Sequence, residues 1–236
     1  MYDKNSKEPF KLSRTKIENF IKCPRCFYLD RKLGIAQVPG FPFTLNSAVD
    51  TLLKKEFDVY RAEQKIHPLM EHYGLKAVPF RNDKMDEWRE NFVGIQYLHQ
   101  PTNFLIFGAV DDIWINENQE LMVVDYKATS SEEKPTLEAE YRQGYKRQME
   151  VYQWLLRQNG FKVSNTGYFV YANGRKDLKA FDGKLEFDVD LLEYTGDDSW
   201  IEKTLLDIKK CLDSDTIPGY TSDCDFCIYQ QKIKNI

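Results

Sequence analysis

Two Cys-x-x-Cys pairs stand at opposite ends of the sequence, Cys23-Pro24-Arg25-Cys26 and Cys224-Asp225-Phe226-Cys227. Four thiolates in two such pairs fit a tetrahedral metal centre. A chain that builds one must fold so that segments about 200 residues apart meet. Sequence spacing alone leaves Zn²⁺ and a [4Fe–4S] cluster both open. Two local disulfides are the remaining alternative. The opening Met1-Tyr2-Asp3-Lys4-Asn5-Ser6-Lys7-Glu8 has no apolar core of a secretion signal, so a cytoplasmic location and reduced, metal-binding cysteines are expected. Cys211, the fifth cysteine, falls near the end of an apolar helical pattern and reads as packing.

The 236 residues are 42% hydrophobic and 14% aromatic, enough to fill a core. The longest apolar runs are far short of a membrane span, so no membrane partner is expected. A net charge of −4 excludes gripping nucleic acid by bulk charge. Any such contact needs a local basic patch.

The periodicity predicts a helix over Ser13–Lys22 with Ser13 as its N-cap, then a Gly- and Pro-rich loop from Gly34 to Pro42. Asn46 is expected to cap a longer helix carrying Val49, Leu52, Leu53, Phe57 and Tyr60. The stretch from about 66 to 103 is weakly patterned. Phe104–Ile115 and Glu120–Ala128 are β-rich and joined by the turn-like Asn116-Glu117-Asn118. A helix follows over about Leu137–Asn159, with Gly160 suited to its C-terminal cap. Thr166–Ala172 reads as a strand. Ala180-Phe181 and Lys184–Val189 flank Asp182-Gly183, a hairpin signal. A last helix covers about Asp198–Leu212. This order predicts an α/β (α+β) fold: a mixed central sheet flanked by helices, with a helical N-terminal lobe. One domain over 1–236 is expected, with the lobe at about 10–100, a core at about 101–212 and a metal-binding segment at 213–236.

Asp125 and Lys127 are two apart on a predicted strand and leave the same face, while Tyr126 points the other way. Asp111 lies on the preceding β segment. Adjacent strands thus bring two carboxylates and an ammonium together, a donor set suited to Mg²⁺ or Mn²⁺. The lysine can orient or deprotonate a water or hold a phosphate oxygen, and the metal activates the water. A solvated Asp–Lys pair is the plain alternative. The apolar run Leu121-Met122-Val123-Val124 argues against it, because charges beside a buried strand are costly unless paired or metal-bound. Gln148 and Tyr152 share one helix face at i, i+4. Arg142 and Lys146 share another, and can touch phosphates or simply face solvent. His67, His72 and His99 fit no motif and read as surface or loop residues.

Gly108-Ala109-Val110-Asp111, the apolar strand ending Asp125-Tyr126-Lys127, and Gln148-Met149-Glu150-Val151-Tyr152 occur in the order of the RecB-like branch of the PD-(D/E)XK nucleases. The chain resembles that branch over roughly residues 10–230. The resemblance implies a Mg²⁺- or Mn²⁺-dependent DNase. Asp111, Asp125 and the Tyr126 carbonyl would bind metal, Lys127 would be the catalytic lysine, and Gln148 and Tyr152 would stand beside the site. Asp50 occupies the place where the family often has a histidine ligand. An exonuclease acting on single strands or DNA ends is expected, in repair, recombination or CRISPR-type processing, with protein partners in such a complex. A catalytically silent DNA- or protein-binding module is the alternative. Some RecB-like nucleases, the AddB type and a CRISPR-associated exonuclease group among them, carry an iron–sulfur cluster on one N-terminal and three C-terminal cysteines. Cys23-Pro24-Arg25 and Phe27-Tyr28-Leu29 resemble that N-terminal segment, and Cys224 and Cys227 match two of the C-terminal three. Ile233 stands where the third would fall, and Cys26 is its substitute. The resemblance thus favours iron–sulfur, with zinc as the alternative.

Overall fold

The computed structural model describes residues 1–38, 40, 44–138 and 142–234. The chain divides into two units, one made of Met1–Phe41, Gln96–Phe107 and Ser199–Ile236, the other of Pro42–Ile95 and Gly108–Asp198.

In the first unit, strand β1 (Phe10–Ser13) runs into helix α1 (Arg14–Lys22) and then α2 (Pro24–Arg31). Ser13 caps α1, its hydroxyl accepting the Lys16 N–H at 3.4 Å. Cys23 ends α1 with an extended backbone, and Pro24 restarts the helix at its first turn, where a missing N–H does no harm. Strands β3 (Ile95–His99) and β4 (Phe104–Gly108) complete a three-stranded sheet in the order β1-β4-β3, with β1 and β4 parallel. Helix α7 (Ile201–Asp213) buries Ile201, Leu205, Ile208 and Leu212 completely, a single stripe at helical spacing. Helix α8 (Asp225–Lys234) follows.

The second unit holds α3 (Thr44–Glu63), α4 (Pro68–His72), β2 (Ala77–Pro79), α5 (Met85–Arg89), β5 (Asp112–Asn116), β6 (Leu121–Thr129), α6 (Gln143–Gln158), β7 (Thr166–Gly174) and β8 (Phe187–Thr195). Its five-stranded sheet has the order β2-β5-β6-β7-β8. Only β6 and β7 are parallel, and α6 lies between them in sequence, as a parallel crossover requires. Leu121–Tyr126 is buried at every position, which is why this central strand reads as a continuous apolar run rather than an alternation. One face carries a core of Phe57, Met70, Trp114, Met122, Val124 and Tyr126. The Phe57 ring stacks on Trp114 at 5.2 Å and on His67 at 4.1 Å.

The mixed α/β architecture agrees with the pattern, and several local expectations change. Asn46 lies inside α3 instead of capping it, and its amide donates to the Ala128 carbonyl at 3.1 Å. The weakly patterned stretch holds two short strands, β2 and β3, besides α4 and α5. The β-rich run from Phe104 breaks at Ala109–Asp111, so β4 and β5 belong to different sheets. Helix α6 starts at Gln143, later than expected; residues 139–141 of the predicted helix lie outside the described residues, as do Pro39 and 41–43 of the predicted loop. Asp182 and Gly183 do form a positive-φ turn, but the arms that pair are β7 and β8 rather than Ala180-Phe181. His67 and His99 are buried, each satisfied on both ring nitrogens: His67 by Leu69 N–H and Glu56, His99 by Thr102 and Glu202. Among the described residues, no helix is long and apolar enough to cross a membrane.

Gly94 has φ +61°, and a Cβ there would collide with the Gly108 carbonyl, which is backbone and cannot yield. Gly74 has φ +67° with open space around it. Gly94→Ala is therefore expected to lower urea-unfolding stability by more than about 2 kcal/mol, and Gly74→Ala by only about 1 kcal/mol, the backbone contribution alone.

Candidate active site

Strands β5 and β6 are antiparallel with Asp112 opposite Val124, so Asp111, at the bend entering β5, falls beside the Asp125 end of β6. Asp111 Oδ2 accepts the Tyr126 N–H at 3.0 Å. Asp125 is completely buried. Its Oδ1 accepts the Gln148 amide at 2.7 Å, and its carboxylate is ion-paired with Lys127 on the same strand face. The Gln148 amide also reaches the Tyr152 hydroxyl at 3.3 Å, so the i, i+4 pair of α6 works as one unit. The Lys127 ammonium lies 4.6 Å from the centre of the Tyr145 ring. Burial disfavours that charge, yet Asp125 and then Asp111 hold the Lys127 pKa above the ordinary lysine value.

Helix α3 brings Asp50 and Lys54 to the same place. The Lys54 ammonium lies 2.8 Å from Asp50 Oδ2 and 3.3 Å from Asp111 Oδ1. Burial first, and the Asp111 charge second, push the Asp50 carboxyl above its usual range. Repelling, half-buried carboxylates with oxygen donors are a set that a hard divalent cation fits, since it relieves their mutual repulsion. Asp50 and Asp111 are such a pair, with the Lys54 ammonium between them. Sequence reasoning missed Lys54; the signal available was its i, i+4 spacing from Asp50, while its bond to Asp111 is a tertiary contact.

The neighbouring Asp112 has a different task. It is completely buried, with Oδ1 ion-paired to Arg61, 3.2 Å from Arg89 Nη2 and accepting the Ile113 N–H at 2.7 Å. Tyr126 points away from Asp125, as strand alternation requires, and its hydroxyl donates to Asp112 Oδ2 at 2.6 Å. Arg89 also chelates Asp58 at 2.9 Å to both oxygens and donates Nε to the Asp111 carbonyl at 2.9 Å. Asp112 is thus saturated, and the same arginine fixes the backbone of Asp111.

Of the two cations expected to meet phosphates, Arg142 is buried at the start of α6, donating to the Thr136 carbonyl with its guanidinium 5.5 Å from the Tyr171 ring centre. Lys146 is half-buried, 5.7 Å from the Tyr194 ring centre.

In the first unit, the four expected cysteines converge. Sγ–Sγ distances are 3.9 Å for Cys23–Cys227, 3.6 Å for Cys26–Cys224 and 3.5 Å for Cys26–Cys227. All four sulfurs lie within 4.8 Å of one another. Burial opposes ionisation of Cys23, but the backbone N–H groups of Cys26 and Thr221 bring its pKa down to about 7. Burial pushes Cys26 up to about 11. Thiols crowded this closely are stable as thiolates only around a cation, and the site fits a bound metal. Cys211 is half-buried and stands apart from this group, as its apolar setting predicts.

Residues 44–231 match the family model of the PD-(D/E)XK nuclease superfamily. The chain belongs to that superfamily. Its members are nucleases that use divalent metals, so a PD-(D/E)XK assignment supports a phosphodiester hydrolase acting on nucleic acid. No curated protein matches the sequence of this PD-(D/E)XK chain. Among solved structures it aligns with the crystal structure of SSO0001 at 16% identity and a TM-score of 0.44, over 96% of this chain and 87% of that one.

Replacing Asp112 by Asn removes the buried counter-charge of Arg61 and Arg89 and leaves the two guanidinium groups to share only the more exposed Asp58. Asp112→Asn is expected to lose about 3–5 kcal/mol of stability in urea unfolding, far more than a surface ion pair would cost.

Proposed function

We propose that the protein is a Mg²⁺- or Mn²⁺-dependent DNase of the RecB-like type, working as an exonuclease on single strands or DNA ends. The observation that carries the nuclease reading is the convergence of Asp111, Asp125, Lys127, Gln148 and Asp50 around one end of β6. The exonuclease and RecB-like parts rest on the resemblance of the ordered GxxD, DxK and QxxxY segments. A single nuclease domain spanning the chain, a role in repair, recombination or CRISPR-type DNA processing, and partners in such a complex belong to the same reading.

Asp111 and Asp125 would offer carboxylate oxygens to a divalent ion, with Asp50 and the Tyr126 carbonyl as further donors; the chemistry such an ion would supply there is activation of a water and stabilisation of the negative charge developing on phosphorus. Lys127 offers an ammonium to a phosphate oxygen, its stem directed by Asp125 and the Tyr145 ring. Gln148 fixes the Asp125 carboxylate, and Tyr152 fixes the Gln148 amide. Lys146 provides a further cation to the DNA backbone, while Arg142 is engaged within the fold.

The cysteine centre is structural in this reading and holds a single Zn²⁺. Zinc–thiolate bonds of about 2.3 Å set the edges of a tetrahedron at about 3.8 Å; three of the six sulfur pairs lie at 3.5, 3.6 and 3.9 Å, and all four sulfurs lie within 4.8 Å of one another. A four-iron cluster carries its thiolates on separate irons, at the corners of a wider tetrahedron.

Purified protein with Mg²⁺ or Mn²⁺ is expected to degrade DNA, and EDTA to stop it. Lys127→Ala and Asp125→Asn should each reduce the rate by about 10³-fold or more while the circular-dichroism spectrum stays native. Undiminished cleavage by Lys127→Ala would remove the proposed site. Elemental analysis should find one zinc per chain in a colourless sample, lost in Cys26→Ser together with thermal stability. A broad absorbance band near about 400 nm would instead assign iron–sulfur.

A further inference from the structure

The Asp182-Gly183 turn, a hairpin signal in the sequence, has no part in the site described above. Both residues have positive φ, +44° and +71°, and the Lys184 N–H donates to the Phe181 carbonyl at 2.8 Å, so Phe181 and Lys184 flank a two-residue turn. The turn tips an extension of β7 and β8 beyond Gly174 and Phe187, where the Arg175 N–H donates to the Glu186 carbonyl at 2.8 Å. Phe181 is 72% exposed. One exposed ring is ordinary on a protein surface, but this ring has cations on both sides. Arg175 is paired with Asp177 and Lys176 with Glu132, whereas, among the described residues, Lys179 and Lys184 form no ion pair. Against the single acid Asp182, these two lysines make residues 178–185 net positive in a chain of net charge −4.

The base of this hairpin is tied to the strand that carries Asp125 and Lys127. Strands β6 and β7 are parallel, with Lys127 opposite Tyr171 and Thr129 opposite Asn173. The hairpin therefore leaves the sheet from the end of β6 where the candidate site lies, and Gly174 follows Tyr171 by about 10 Å along the strand. Asn173 Oδ1 accepts the Ser131 N–H at 2.8 Å, its amide donates to the Ser131 carbonyl at 3.0 Å, and the Ser130 hydroxyl donates to the Gly174 carbonyl at 2.9 Å.

We propose, resting on the nuclease reading, that the hairpin tip is a contact for single-stranded DNA: Phe181 stacks on an unpaired base, and Lys179 and Lys184 meet the phosphates on either side of it. An aromatic face between cations suits a single strand of any sequence, since every base offers a π-face and every linkage a negative charge. A base inside a duplex is already stacked on its neighbours and has no free face for the ring. Phe181 acts as a positioning residue, holding the strand at the end of the sheet where the carboxylates and Lys127 stand.

The test is fluorescence anisotropy of an oligo-dT strand with the full chain, its cysteine centre filled and no Mg²⁺ or Mn²⁺ added. Phe181→Ala is expected to bind about tenfold or more weakly, and Phe181→Trp as the wild type does. Phe181→Ser is measured beside Phe181→Ala, with the same expectation, each after its circular-dichroism spectrum is found native. On an abasic strand of equal length the wild type and Phe181→Ala should bind alike. Lys179→Gln and Lys184→Gln together should lower the slope of log affinity against log salt by about 1.4, about 0.7 for each phosphate contact, while Phe181→Ala leaves that slope unchanged. No binding of oligo-dT by the wild type, or equal affinity in wild type and folded Phe181→Ala, overturns the proposal; the second result would make a protein the partner of the tip. An equal loss on the abasic strand also overturns it. A wild type that binds oligo-dT through Phe181 yet cuts no DNA with Mg²⁺ or Mn²⁺ supports the contact and overturns the nuclease reading. A wild type that cuts DNA but binds oligo-dT without need of Phe181 overturns the contact alone.

Discussion

A sheet buried on both faces can hold carboxylates near its centre only if each is answered by a cation or a hydrogen-bond donor. The second unit meets this demand residue by residue. Asp112 is answered by two guanidinium groups and a tyrosine hydroxyl, Asp125 by Lys127 and Gln148, and Asp111 by Lys54 and the Tyr126 amide. The degree of saturation separates structure from chemistry. Asp112 is enclosed and committed to the fold, whereas Asp111, one residue earlier, keeps a partly exposed carboxylate held by a lysine at 3.3 Å. Arg89 links the two, because it binds Asp112 and also the backbone of Asp111.

The first unit solves a different problem. Helices α2 and α8 have eight and ten residues, too short to persist alone in water. Each carries part of the cysteine centre, and Thr221 adds a hydrogen bond to the Lys22 carbonyl at 2.6 Å. Metal-binding free energy is folding free energy for such an arrangement. The centre joins the N-terminal and C-terminal segments of this unit, where α7 otherwise supplies the largest apolar stripe.

Much of this was legible in the sequence for identifiable reasons. Asp125 and Lys127 could be placed on one face because strand alternation is strict, and Gln148 and Tyr152 because helical spacing is. The cysteines could be grouped because two such pairs match the ligand spacing of a four-thiolate metal site. What escaped depends on contacts between distant residues. Lys54 meets Asp111 only after α3 docks near β6, and Asn46, with the composition of a cap, instead donates to Ala128. Strands β2 and β3 are three and five residues long, too short to carry a period. The break between β4 and β5 was hidden because Phe104–Ile115 has β-favouring residues on both sides of it. His67 and His99 read in the sequence as surface or loop residues; His67 does lie in a loop, but nothing local reveals the burial of either, with Phe57 stacked on one and Glu202 bonded to the other.

The turn joining β5 and β6 gives this arrangement an unexpected point of control. Asn116 folds its side chain back onto the N–H groups of Asn118 and Glu120, at 2.9 and 3.0 Å, and Gln119 takes φ +59°. That knot sets the hairpin's length, and the length sets the pairing of Asp112 with Val124. Because strand faces alternate, a slip of one position would turn Asp111 toward the arginines and Asp112 toward the lysines. Which of the two neighbouring acids meets the lysines is therefore written in loop geometry as much as in the acids themselves, so an insertion among these few polar residues can rearrange the candidate site while sparing every side chain in it.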